Sequence, residues 1–181
     1  MKFDEHGPEL DLIDFLILEQ LQENCKRPLA AIGEKVGLTA PSVLDRIHKL
    51  EEAGVIRDYV AVLDARAIGK DVAAFIGVSV TSPRALAAFE QTVERIDEVL
   101  ECHHVTGAHS LMLKVKAEDT EGLERIIDSL REIEGVTRTE TMVVLSTNVE
   151  RTRIPLPVRE EAPPRRKAKI ERRGRRTGSP E

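Results

Sequence analysis

Tryptophan is absent from this 181-residue chain, and Phe and Tyr together supply only 3% of it. Any core must therefore be aliphatic. Cysteine is nearly as scarce: Cys25 and Cys102 fall in different predicted elements, which excludes a disulfide framework and fits a cytoplasmic protein with reduced thiols. No apolar run approaches the length needed to span a bilayer, so no membrane partner is expected. The opening MKFDEHGPEL is acidic and lacks the apolar stretch of a secretory signal. Positive charge is also short, with 27 Lys and Arg against 32 Asp and Glu. The shortfall is uneven. Residues 151–181 hold 11 basic and 4 acidic residues, a net of +7, while the remainder holds 16 and 28, a net of −12. An acidic body repels nucleic acid as a whole. A nonspecific nucleic-acid coat is thereby excluded, and any such contact must come from local cations such as Arg27, Lys35, Arg46, Lys49 and Arg57.

What is present is periodicity. Hydrophobic residues make up 41% of the chain, and the most informative stretch is LAAIGEKVGLTAPSVLDRIHKLEEAGVI, residues 29–56. Leu29, Ile32 and Val36 recur at the spacing of one helical face. Gly37 suits the left-handed end of that helix, and Thr39 can cap the next, where Val43, Ile47 and Leu50 repeat the spacing until Gly54. Two short helices joined by a tight glycine-containing turn have the layout of a helix-turn-helix, which lays its second helix in the DNA major groove. An ordinary helical hairpin with a solvated face has the same period. Off the apolar face of the second helix stand Pro41, Ser42, Asp45, Arg46, His48 and Lys49. A further amphipathic helix with Leu10, Ile13, Ile17 and Leu21 precedes the pair, with Asp11 and Asp14 near its start, and VIRDYVAVLD after the pair reads as a strand and turn.

From residue 72 the period changes to two. Val72, Ala74, Ile76, Val78 and Val80 share one strand face, with Phe75 on the other. A helix is expected over 83–96, a strand over 99–105, a turn at 106–109, a strand over 110–116, a helix over 119–133 and a last strand over 136–149. That order is β-α-β-β-α-β, the ferredoxin-like arrangement with both helices on one face of an antiparallel sheet. Phe75, Met112 and the apolar outer strands predict that the opposite face is covered by the same sheet of a second copy, giving a C₂ dimer; an antiparallel sheet with one wet face is the alternative.

The chain resembles the Lrp/AsnC family of transcription regulators. The resemblance is carried by Leu10-Asp11 with Asp14, Leu29-Ala30 with Val36-Gly37-Leu38-Thr39, Val43 with Arg46-Ile47, and Gly54-Val55-Ile56-Arg57. It continues through Ala61-Val62-Leu63-Asp64, Gly69, Val99 to His103 and Val105-Thr106-Gly107, and covers about residues 8–155 in one register. It implies double-stranded DNA as a partner, homo-oligomers that begin with a dimer and often extend to tetramers or octamers, and a small amino-acid effector held between subunits. By the same resemblance the effector site takes in Thr106, Gly107, Ala108, His109 and Ser110 of the hairpin and Thr139, Glu140 and Thr141 of the last strand. The acid common in the family's hairpin is missing here, with Ser110 at or beside its place.

The expected chain is therefore α+β: a helix-turn-helix DNA-binding domain over 1–56, a strand and linker over 57–71, a ferredoxin-like effector-binding and oligomerisation domain over 72–155, and a disordered basic tail over 156–181. Arg46 and Lys49 are expected on phosphates, with Ser42, Asp45 and His48 within reach of base edges. Asp45 could accept from a cytosine amino group or simply pair with Lys49. Cys102 and His104 share one strand face but have no second ligand cluster, so no metal, no cofactor and no catalytic residue is assigned. Two other functions stay open: an architectural DNA-binding protein without an effector, and an enzyme of the sirohaem decarboxylase kind, which shares the two-domain build. The tail could track phosphates or be a passive extension.

Overall fold

The computed structural model describes residues 8–157, which form two compact units, one reaching Tyr59 and resuming at Thr152, the other running from Val60 to Arg151. The first unit is built from α1 (Leu12–Glu23), α2 (Leu29–Val36) and α3 (Ala40–Glu52). Each begins or ends on the residue whose chemistry demands it. Asp11 caps α1 in a reciprocal box: its carboxylate accepts from the Asp14 amide at 2.9 Å, and the Asp14 carboxylate accepts from the Asp11 amide at 3.0 Å. Gly37 closes α2 at φ +73°, and the Thr39 hydroxyl accepts from the Ser42 amide to open α3. The apolar stripes meet in a core of Ile17, Leu18, Ile32, Val43, Ile47 and Leu50. Gln20 is the one buried polar residue among the described residues, and Arg27, itself paired to Glu23 at 3.1 Å, donates to its side-chain oxygen.

The chain returns to this unit at its far end. Gln22 donates to the Ile154 carbonyl at 3.1 Å and accepts from the Ile154 amide at 2.7 Å, so one side chain imitates a strand neighbour. Arg153 pairs with Glu19 at 2.7 Å, and Leu156 packs against the helical core. Residues 152–157 thus lie against the helices, although they follow the last strand in the chain. The remainder of the expected tail, 158–181, lies outside the described residues.

The second unit has the expected order: β1 (Val72–Val80), α4 (Pro83–Val93), β2 (Val99–His104), β3 (Leu111–Ala117), α5 (Thr120–Arg131) and β4 (Val136–Val143). All neighbours in the sheet order β2-β3-β1-β4 are antiparallel. Period-two alternation sends Ala74, Ile76, Val78, Leu111, Leu113 and Val115 to one face, where Phe89, Val93, Leu123, Ile126 and Leu130 of the two helices cover them.

Two expected strands are corrected. Residues 57–64 make no ladder among the described residues, and Val60, Val62 and Leu63 stay 64–73% exposed. β4 stops at Val143, short of the expected 149. The last bond between β4 and its partner β1 runs from the Val144 amide to the Ala73 carbonyl at 2.8 Å.

Phe89 is fully buried and the largest core side chain of the second unit. Phe89→Ala is expected to cost this unit about 3–5 kcal/mol, read as a lowered calorimetric transition, while a helical-unit transition stays in place.

Candidate functional site

The outward face of α3 carries the residues expected to meet DNA, but they are not equally free. Pro41, Ser42, Asp45, His48 and Lys49 are exposed. Arg46 is turned inward: one guanidinium nitrogen donates to Asp11 at 2.8 Å and to Asp14 at 2.7 Å. The pairing raises the Arg46 pKa further, first through the Asp11 bond and then through Asp14. For Asp11, slight burial pushes upward, but the Asp14 amide and the Arg46 guanidinium outweigh it and hold the carboxyl below its ordinary value. The expectation that Arg46 contacts phosphate is therefore revised. Its charge ties the middle of α3 to the first turn of α1. Of the two expected uses of Asp45, the structure displays pairing: its carboxylate lies 2.8 Å from Lys49, whose hydrogen bond lowers its pKa. Lys26, Lys35 and Arg57 make no ion pair among the described residues.

In the second unit, the hairpin between β2 and β3 folds back over the sheet face that the helices leave open. Thr106, Gly107 and Ala108 are exposed, with Gly107 at φ +124°, where a side chain would be strained. Ser79 donates to the Ala108 carbonyl at 3.5 Å, and the Ser110 amide donates to the Val78 carbonyl at 2.9 Å. These bonds seat the His109 ring directly on Gly77, where an added Cβ would lie 2.4 Å from the ring. The His109 side chain is only 10% exposed; its Nε2 is 3.4 Å from Glu140, and its buried Nδ1 has no hydrogen-bond partner among the described residues. Gly77 was missed in the sequence, although a glycine inside a β-branched strand signals close approach of another group.

Strand alternation divides the expected last-strand residues. Glu140 pairs with Gly77 across the ladder and faces the hairpin, while Thr139 and Thr141 pair with Val78 and Ile76 and point toward the helices. Thr139 accepts from Arg131 of α5 at 2.9 Å. The expected grouping thus reduces to Thr106 to Ser110 with Glu140. On the helix side, His104 lies 2.7 Å from Glu90, and burial, followed by Glu90, pushes the Cys102 thiol upward. Among the described residues no group of three His, Cys, Asp or Glu could hold a metal, and no helix is long and apolar enough to cross a membrane.

Family models match both units: the AsnC-type helix-turn-helix domain over residues 10–51, and the Lrp/AsnC ligand binding domain over 73–154. The chain belongs to the Lrp/AsnC family. It is 34% identical to the HTH-type transcriptional regulator FL11 of Pyrococcus abyssi, across 81% of this chain and 97% of that protein. It is 37% identical to the leucine-responsive regulatory protein of Rhizobium meliloti, across 76% and 90%. Its fold matches a transcriptional regulator from Neisseria meningitidis solved with L-methionine at a TM-score of 0.78 and 31% identity, covering 82% of this chain and 98% of that one. Escherichia coli AsnC matches at a TM-score of 0.76 and 28% identity, over 81% and 99%. These relatives are transcriptional regulators, which sets aside the decarboxylase reading: the Lrp/AsnC chain is a regulator and not an enzyme.

Two outcomes follow from the pairing. Arg46→Ala strands two carboxylates and is expected to lower helical-unit stability by about 1–2 kcal/mol, whereas Lys49→Ala changes it little. Because folding lowers the Asp11 pKa, the stabilisation is present above the ordinary value of 3.8 and lost as pH falls below it. Melting curves of Asp11→Asn and the parent should differ at neutral pH and converge in acid. In the sheet, Gly77→Ala should displace the His109 ring, seen as a shift of its imidazole NMR signals, and cost about 1–3 kcal/mol; the double variant with His109→Ala should recover most of that loss.

Proposed function

We propose that this regulator binds specific sites on double-stranded DNA and that a small amino-acid effector shifts its assembly or its DNA binding. The observation that carries the reading is the seat formed by Gly77, His109 and Glu140. A nearly buried imidazole keeps one nitrogen without a partner beside a carboxylate, on the hairpin of the domain that matches the family's ligand binding model. An unpartnered buried polar atom costs free energy unless something completes it. Relatives of the same fold were solved with L-methionine, including a feast or famine regulatory protein of Mycobacterium tuberculosis. Backbone N–H groups at Gly107 would receive the ligand carboxylate and Glu140 its ammonium, with Thr106, Ala108, His109 and Ser110 lining the approach.

A homodimer is part of the proposal. Phe75 and Met142 stand side by side on the open sheet face, 39% and 44% exposed, and the unpaired segment 57–64 adds a row of exposed apolar residues. A second copy would bury both, and further copies would give the family's tetramers or octamers. Ligand binding between subunits would then favour one arrangement and alter the spacing of recognition helices along DNA. Ser42 and His48 would read base edges and Lys49 would add a phosphate contact, all in the cytoplasm, where amino-acid levels are sensed.

Thermal-shift screening against the twenty amino acids tests the effector directly, and at least one should raise the melting temperature. Glu140→Gln is expected to weaken that ligand by about 1–3 kcal/mol, and Gly107→Asp to abolish the shift, both leaving subunit count unchanged by light scattering. A screen in which no amino acid acts would favour an architectural DNA-binding protein instead.

A further inference from the structure

Asp45 occupies the middle of the outward face of α3. Val43, Ile47 and Leu50 mark the buried stripe of that helix. At about 100° per residue, Asp45 stands about 200° around from Val43, almost opposite the stripe. Arg46 stands only about 60° from Val43 on the other side, where it meets Asp11 and Asp14. The residue at the centre of the outward face is therefore an acid, and the neighbouring cation is turned away from it.

A helix in the major groove meets base edges with the residues of its N-terminal part. On the outward face there, Pro41, Ser42 and Asp45 are exposed. Pro41 has no side-chain group that can hydrogen-bond. Ser42 shares its hydroxyl with Thr39 at 2.9 Å, and a hydroxyl donates or accepts as its partner requires, so it separates bases poorly. Asp45 differs from both, because a carboxylate only accepts. Lys49 lies one turn further on, 2.8 Å from that carboxylate, and its hydrogen bond, then its charge, hold the carboxyl below its ordinary value. The two side chains are 66% and 69% exposed, so the pair contributes little to folding and stays open to a ligand. The ammonium also keeps further N–H groups that offset repulsion between the acid and DNA phosphates.

The major groove offers such an acceptor one good match. Guanine, adenine and thymine each present at least one acceptor there, whereas cytosine presents only its N4 amino donor. We propose that Asp45 is a specificity-determining residue whose carboxylate accepts from the N4 amino group of a cytosine in the site that α3 addresses, with Lys49 holding it in position. This rests on the DNA-binding reading above. The ion pair and the base contact are then two uses of one side chain, since a carboxylate has lone pairs for both.

The test is selection of duplexes from a randomised pool by the full chain, followed by sequencing of those retained. The parent should enrich a motif with an invariant cytosine. Changing that C·G pair to T·A in the preferred duplex should weaken the parent by on the order of tenfold in fluorescence anisotropy, and Asp45→Ala by less than about twofold. Asp45→Asn adds a donor beside the acceptor and should move the preference at that position to adenine. Both variants should melt at the parent's temperature, because the pair is exposed. A parent motif without an invariant cytosine, or a motif unchanged in both variants, would overturn the proposal and leave Asp45 as a plain partner of Lys49. Tighter binding of every duplex by Asp45→Ala with the cytosine preference intact would also overturn it, since the acid would then only repel phosphates. A parent that retains no motif at all would overturn the sequence-specific DNA-binding reading itself, and this proposal with it.

Discussion

Arg46 stands on α3, the second helix of the helix-turn-helix domain, and directs its charge into the protein. Its partners Asp11 and Asp14 are the same two residues that cap each other at the start of α1. One side chain therefore joins a helix start to the middle of another helix 35 residues away. The Asp14 side chain is only 14% exposed, so loss of the guanidinium would leave a largely desolvated carboxylate unpaired. The clasp fixes how α3 lies against α1, and it withdraws a cation from the surface. The Asp45–Lys49 pair partly withdraws a second. Under the proposed function, base reading would fall to short polar side chains such as Ser42, and phosphate attraction to cations that the helices do not pair.

The second unit obeys a different constraint, the alternation of side chains along a strand. β1 puts Ala74, Ile76 and Val78 under the helices and leaves Ala73, Phe75 and Gly77 on the open face. Gly77 is the position that matters: without a side chain it admits the His109 ring and brings it to Glu140. Helix packing and the proposed ligand seat thus use opposite faces of the same strand. A ligand on the open face can bias how two copies meet without disturbing the core behind it, which is the physical requirement for coupling a small molecule to subunit arrangement.

Local signals in the sequence were legible because they depend on neighbours in the chain. The cap at Thr39, the left-handed Gly37, the stripe Val43, Ile47, Leu50 and the β-α-β-β-α-β order all appear where the periods place them. Features that depend on distant partners were not. Arg46 looks solvent-facing by period alone, and only the approach of α1 converts it into a structural cation. Leu156 lies past the last strand and reads as tail until the helical core is there to receive it. β4 ends at Val143, where its ladder with β1 stops, although its own apolar and β-branched residues continue past that point. Thr139 and Thr141 flank Glu140 in sequence yet face away from it, so a family-derived stretch of three residues contributes one side chain to the hairpin site.

The central claim is that amino-acid binding at the hairpin and DNA binding by the helices are coupled. Linkage makes the coupling reciprocal: a ligand that changes DNA affinity by a given factor must have its own affinity changed by DNA by the same factor. The decisive measurement is a pair of titrations on the full chain, with L-methionine as the first probe and the other amino acids after it. DNA affinity is measured with and without saturating amino acid, and amino-acid affinity with and without saturating duplex. The account predicts equal factors in both directions, on the order of 5–150-fold, for at least one amino acid. An amino acid that binds the protein but leaves DNA affinity unchanged, with all the others inert, would contradict it.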